Sequence, residues 1–179
     1  MLSSAGREIF IKAVCQAIPT YSMNYFKSSK KFCKSLTSVV ARFWWGGDEK
    51  KRRMHWKKWE DIAIPKRDGG MGFRDFEKFN QALLAKHGWR LITKPNSLCA
   101  RVLKGKYFHG REFMVASRRR GSSDIWQAIL YGRNALHSGL IKRVGDGSSI
   151  DVWGDPWIAD NYNSKLLVRR DDAAIFKVE

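Results

Sequence analysis

The sequence predicts a mainly α protein, with about five helices and one small β-hairpin near residues 141–153. Three observations predict it. Apolar residues recur with helical period over 30–45 and again over 76–92; Gly46-Gly47, the Pro65–Gly70 turn and Pro95 separate these stripes; and one stretch alone reads as strand, turn, strand. A chain of 179 residues and 20.7 kDa, 44% hydrophobic and 13% aromatic, can bury a core as one domain or as two small ones sharing it.

The first helix runs from Ser3 to Ile18, with Phe10, Val14, Ile18 and Tyr21 expected inward and Arg7, Lys12 and Gln16 outward. Ser3 or Ser4 can cap it, and Pro19 ends or kinks it by removing a donor. The opening Met1–Arg7 has the faint look of an organelle transit peptide, but Glu8 and the scarcity of basic residues favour a core helix. In the second helix, Phe32, Leu36, Val39, Val40, Phe43 and Trp44 form one stripe, and Lys30, Lys31, Lys34 and Arg42 fall on other faces. Gly46-Gly47 closes it. Asp48 to Arg53 reads as an exposed loop that leads to His55, Trp56 and Trp59.

Asp75 is a candidate cap for a third helix, 76–92, with Phe76, Phe79, Leu83, Leu84 and Leu91 inside. A fourth, 97–107, turns Leu98, Val102 and Leu103 inward and Arg101, Lys104 and Lys106 outward; a fifth, 123–136, buries Ile125, Trp126, Ile129 and Leu130. Asp146-Gly147 suits a hairpin turn, with Val152 and Trp153 on the second strand. From Ala159 the periodicity is lost and a loose tail is expected.

The charge narrows the function more than the fold does. Lys and Arg number 34 against 17 Asp and Glu, for a net charge of +17. Residues 1–60 carry 13 basic and 4 acidic side chains, residues 61–120 carry 14 and 5, and residues 121–179 carry 7 and 8. A positive field over two thirds of an aromatic-rich chain points to a polyanion, nucleic acid ahead of a membrane surface. No apolar run approaches the roughly 18 residues of a membrane span, which excludes an integral membrane protein. Cys15, Cys33 and Cys99 lack the number and spacing of a disulfide framework and read as reduced thiols of an intracellular protein.

Catalytic chemistry finds little foothold. His55, His87, His109 and His137 have no partners at zinc-ligand spacing, so no metal and no cofactor is expected. Asp171-Asp172 resembles a polymerase carboxylate pair only superficially; between Arg170 and the chain end it reads as a solvated charge cluster. Gly145-x-Gly147 lacks the third glycine and the following helix of a phosphate loop. What stands out is cations interleaved with aromatics: Lys50-Lys51-Arg52-Arg53 beside His55-Trp56-Lys57-Lys58-Trp59, and the run Arg118–Arg120. Trp56 and Trp59 are expected in the core, because large aromatics normally bury.

These residues also resemble a known family. Leu2–Glu8, Ile11–Val14, Ala17–Tyr21, Phe43-Trp44-Trp45-Gly46, His55-Trp56 and Trp59, Pro65-Lys66 and Gly69–Asp75 resemble, in order, the segment after the polymerase palm in plant LINE-type (non-LTR) retrotransposon reverse transcriptases. Phe79–Lys86, Gly88-Trp89-Arg90, Lys106-Tyr107-Phe108, Gly145-Asp146-Gly147 and Trp153-x-Asp155-Pro156-Trp157 continue the collinear match to about residue 158. Stand-alone plant copies of this segment, some called uncharacterised mitochondrial proteins, look similar. Lys142 stands where the family usually has Trp.

The resemblance implies a thumb-like basic helical region over 1–60, a connection-like helical region with the terminal hairpin over 61–158, and a non-family tail over 159–179. In such enzymes the thumb holds the template–primer duplex while palm aspartates transfer the phosphoryl group. The chain begins after the palm, and its tail does not resemble the zinc-binding region that follows, so no catalytic residue carries over. The expectation is a truncated, catalytically inactive fragment of an RNA-directed DNA polymerase that retains non-specific binding of RNA or RNA–DNA hybrid. Lys12, Lys30, Lys31, Lys34, Lys50, Lys51, Arg52 and Arg53 are the expected phosphate contacts. Palm or RNase H portions of a longer polyprotein are further expected partners. Transposon ancestry implies the nucleus or cytoplasm, and the mitochondrial label leaves that compartment open. The competing expectation is an interaction module whose apolar face binds another protein or a second copy.

Overall fold

Helical period becomes helix almost wherever the sequence carries it. The computed structural model of the chain describes residues 2–46, 54–146, 148, 150, 151 and 156–158. Among them run α1 (Ser4–Phe10), α2 (Thr20–Tyr25), α3 (Lys30–Trp44), α4 (Trp59–Ala63), α5 (Phe76–Thr93), α6 (Leu98–Tyr107) and α7 (Asp124–Gly139). The five expected helices are present, α2 and α4 add short ones, and the chain is mainly α.

The caps are where the side chains ask for them. Ser3 Oγ accepts from Gly6 N at 3.2 Å, and Asp75 Oδ1 accepts from Glu77 N and Lys78 N at 2.9 and 3.2 Å. Ser97 and Ser123 serve α6 and α7 by accepting from Ala100 N and Trp126 N, both at 3.3 Å. Gly46, at φ 70°, takes the left-handed step after α3; Gly47 lies outside the described residues.

The first helix differs from its expected reading. After Phe10 the chain enters a π-helical turn, Ile11–Cys15, closed by Gln16 N donating to Ile11 O at 2.9 Å. An extra residue in that turn advances every later side chain around the axis, so the stripe read at helical period is out of phase. Ile18, past the turn, is 75% exposed and Val14 is exposed too, as are Phe10 before the turn and Tyr21 in α2, while Ile11 and Gln16 are buried. Arg7 is turned inward too: its Nη1 donates to Trp44 O at 2.8 Å, a cation on the carbonyl end of α3.

Residues 1–136 form one compact unit with two apolar clusters. The first cluster gathers Ile11, Met23, Cys33, Val40, Ile62, Phe73 and Phe76. Trp44 meets Phe73 edge-on and Trp59 stacks on it, each at 5.2 Å between centroids. The expected stripe of α3 is partly displaced: Cys33, Val40 and Ala41 are buried, Leu36, Phe43 and Trp44 half-buried, and Phe32 and Val39 exposed. The second cluster centres on Trp126, wholly buried, with Tyr107 at 4.7 Å and Phe108 at 5.6 Å nearly parallel to it and Phe113 across its edge at 6.1 Å. Ile125, Leu98 and Val102, expected inside, are exposed, because the smaller Ala100 and Ala128 are the residues that face the core. Trp56 corrects the expected burial of both tryptophans: it is 77% exposed, whereas Trp59 is half-buried.

Helix α5 belongs to both clusters, giving Phe76, Phe79 and Leu83 to the first and Leu91 and Ile92 to the second. It is closely approached by α7 at Gly132, where an added Cβ would lie 2.4 Å from Leu84 C and Ala85 N. Backbone meets backbone there, and only glycine leaves room.

The second unit, residues 137–179, is described only in part. Lys142 N donates to Pro156 O at 2.6 Å, and Asp146 Oδ1 accepts from Ser148 N at 3.1 Å. Of the expected hairpin, the described residues contain a single bridge position at Asp151 and no strand; Gly147, Ser149, Val152 and Trp153 lie outside them. The expected tail, 159–179, with Asp171 and Asp172, also lies outside the described residues.

Candidate nucleic-acid interface

The N-terminal end of α3 gathers three of the sequence-derived candidates. Ser29 Oγ accepts from Phe32 N at 3.2 Å and fixes the start of the helix. Lys30, Lys31 and Lys34 follow at once, all exposed, and the first turn holds no acidic side chain. A helix start carries the positive end of the backbone dipole, where cations are disfavoured and anions favoured. The nearest recorded opposite charge is Glu77, whose Oε1 lies 3.7 Å from Lys30 Nζ, a long and exposed pair. Positive potential is therefore concentrated at this end of α3.

Lys12 is placed differently. Its Nζ lies 2.8 Å from Glu8 Oε1, Lys66 Nζ lies 2.7 Å from the same oxygen, and Lys12 also sits 5.7 Å from the Phe73 ring centroid. The hydrogen bonds from these two ammonium groups hold the Glu8 carboxyl below its ordinary range. One carboxylate shared by two lysines leaves this spot cationic, but Lys12 is already engaged. Lys50, Lys51, Arg52 and Arg53 lie outside the described residues, so their relation to the α3 lysines does not enter the geometry.

Other cations stand elsewhere on this unit, and the first two are already engaged. Lys27 Nζ sits 4.4 Å from the Tyr131 ring centroid, and Lys66 completes the Glu8 pair. Arg118, Arg119 and Arg120 are exposed on the loop before α7. Arg133 is a structural cation instead. Its Nη1 donates to Phe113 O and Ala116 O, and burial lowers the guanidinium from its ordinary value.

The polar residue that sequence reasoning missed is Asn80. It is buried in α5, donates from Nδ2 to Met23 O at 2.6 Å and Phe26 O at 2.9 Å, and accepts at Oδ1 from Ser28 N at 2.9 Å. His87 Nε2 lies 2.8 Å from Asn24 O. These bonds anchor the connection into α3, and so aim its lysines. A lone Asn inside an otherwise apolar helical stripe was the available signal. Among the described residues, no group of three or more His, Cys, Asp or Glu comes together as a metal-binding set, and no helix is long and apolar enough to cross a membrane.

A helical module with a lysine-rich helix start is the class that fold and site define. The chain belongs to the same family as an Arabidopsis thaliana protein named "Uncharacterized mitochondrial protein AtMg00310", to which it is 43% identical over 145 residues, covering 80% of this chain and 94% of that protein. It is also 34% identical over 161 residues to "Putative ribonuclease H protein At1g65750" of the same plant; that match covers 88% of this chain and 26% of the longer protein. No family model matches the chain, and no solved structure does.

Proposed function

We propose that the chain is a catalytically silent segment derived from a plant LINE-type RNA-directed DNA polymerase, and that what it retains is sequence-tolerant binding of RNA or an RNA–DNA hybrid. The observation that carries the binding is the start of α3, where Lys30, Lys31 and Lys34 stand on the positive end of a helix with no acid in its first turn. An arrangement unfavourable in the free protein is relieved by an anion, and phosphates supply one at regular spacing. The derivation is supported by the collinear resemblance to the post-palm segment and by the likeness to a longer protein with ribonuclease H in its name. Palm and ribonuclease H portions of such a protein are the proposed protein partners.

Fluorescence anisotropy with a labelled hybrid tests the binding. Affinity should fall about 10³-fold between ~50 and ~200 mM salt if some six phosphates are contacted. Replacing Lys30, Lys31 and Lys34 with Gln should flatten that slope for all sequences alike. Equal competition by heparin at matched charge would reduce the reading to charge alone. Primer extension and nuclease assays with Mg²⁺ or Mn²⁺ test catalytic silence, and turnover that is lost in Asp171→Asn or Asp172→Asn would overturn it.

A second reading, self-association, is favoured by the exposed Ile9, Phe10, Val14 and Ile18. Salt separates the two, since an apolar contact persists or strengthens where phosphate binding collapses.

A further inference from the structure

The segment from Tyr21 to Lys34 is held along α5 at several points: Tyr25 and Asn24 at His87, Met23, Phe26 and Ser28 at Asn80, and Lys30 at Glu77. From Glu77 to His87, α5 rises about 15 Å. The segment held in this way turns rings outward. Tyr21 is 81% exposed, Tyr25 and Phe26 are exposed too, and the Tyr21 and Tyr25 rings meet at 5.8 Å. Tyr25 lies a further 5.8 Å from the His87 ring. Large aromatics normally bury, yet these stay in solvent on a backbone anchored by a buried Asn. Lys27, Lys30 and Lys31 flank them, all exposed, and the segment contains no acidic residue.

Fixed rings beside ammonium groups complement one polyanion better than others. A duplex hides its base faces inside its own stack, whereas an unpaired strand offers them, and each base stacked on an aromatic side chain contributes about 1–3 kcal/mol. A protein partner matched to an apolar patch would meet lysines here instead. We propose that Tyr21, Tyr25 and Phe26, with Lys30 and Lys31, form a stacking platform for roughly four unpaired nucleotides of RNA or single-stranded DNA, about 15 Å at ~3.4 Å each. This inference rests on the polyanion reading above and assigns its ligand as strand with unpaired bases.

The test measures the full chain, at about 50 mM salt, against three labelled probes: a short oligouridylate, a short oligothymidylate and a blunt RNA–DNA hybrid. Tyr21→Ala and Tyr25→Ala should each weaken binding of both single strands about 5- to 150-fold, with the hybrid changed by less than about twofold. Tyr21→Phe and Tyr25→Phe, which keep the rings, should restore it. Lys30→Gln with Lys31→Gln should weaken all three probes alike. Tighter binding of the uridylate than the thymidylate assigns RNA through its 2′-hydroxyls, and equal binding assigns unpaired strand of either sugar. Equal losses on strand and hybrid, no loss in the tyrosine variants, or the same loss in Trp56→Ala would overturn the platform while leaving polyanion binding intact. Loss of self-association in sedimentation, with oligonucleotide binding unchanged, would overturn it in favour of a second copy. Binding to none of the probes would overturn both readings.

Discussion

The two apolar clusters of residues 1–136 meet α5 at opposite ends and are built differently. The second is organised by one residue: Trp126, with Tyr107, Phe108 and Phe113 around it within 6.1 Å. The first has an aromatic focus of its own, Phe73 with Trp44 and Trp59 at 5.2 Å, but draws on more elements. It joins side chains from several elements, Ile11 from the π turn, Met23 from α2, Cys33 and Val40 from α3 and Ile62 from α4, around Phe73 and Phe76. Both enclose polar groups: in the first, Asn80 is fully bonded and Gln16 Nε2 is buried with no partner among the described residues, and in the second Trp126 Nε1 is likewise buried with none. An aromatic stack defines its own geometry through ring shape, whereas side chains drawn singly from many elements depend on backbone anchors. The cluster drawn from more elements is also the one that presents the α3 lysines, so the placement of that helix start rests on the Asn80 hydrogen bonds as well as on packing.

Breaking the stack should have the largest effect. Trp126→Ala removes the ring at the centre of the second cluster and should cost about 3–5 kcal/mol, lowering the melting temperature by roughly 6–20 °C at ~2–4 °C per kcal/mol. Because α5 serves both clusters, calorimetry should show one transition; two would mean that the clusters fold separately.

Asn80→Ala attacks the other design. It orphans Met23 O, Phe26 O and Ser28 N and should cost about 2–3 kcal/mol. Amide exchange should accelerate at Ser28 and through the first turn of α3 while the amides of α7 stay protected, which a shared loss of protection would contradict.

Gly132→Ala probes the helix contact that connects the clusters. A methyl group at 2.4 Å from the α5 backbone forces the helices apart, for about 1–3 kcal/mol. An unchanged melting temperature would show that α5 and α7 can separate at no cost.

The smallest effect concerns pH. Glu8 is held below its ordinary value of 4.5 by Lys12 and Lys66, so near that pH the unfolded chain binds more protons than the folded one. Its contribution is present in full above about 4.5 and is lost as pH falls through the lower folded value. Glu8→Gln should flatten this part of the acid unfolding curve, and a curve that keeps its shape would remove Glu8 from the account. Both lysine partners keep contact with solvent, so the change should be small.

Much of the candidate site was legible beforehand. Lys30, Lys31 and Lys34 follow from their place at the head of the strongest helical stripe, and exposure of a charged helix start needs no tertiary information. Lys12 is placed differently from these for a local reason: its neighbour one turn back, Glu8, pairs with it, and a distant Lys66 shares the same carboxylate. Asn80 stood out as a lone amide in an apolar stripe, but its partners, like the outward rings of Tyr21 and Tyr25, could not be read from spacing, because they depend on how α2 lies along α5.

By itself the sequence determined that the chain is mainly helical, where α3, α5, α6 and α7 begin, and that it carries a net charge of +17. Periodicity, caps and net charge are properties of neighbours along the chain, and they survive without knowledge of the fold. Which face of each helix is buried was decided by tertiary structure. The stripe from Phe10 to Ile18 faces solvent while Ile11 and Gln16 turn inward through a π turn, Gly132 lets α7 approach the α5 backbone, Ala100 and Ala128 are buried where Leu98, Val102 and Ile125 are not, and α5 serves a cluster at each end. A helix packs where its backbone can approach another, and that distance is set by the partner's side chains, which lie far away in sequence.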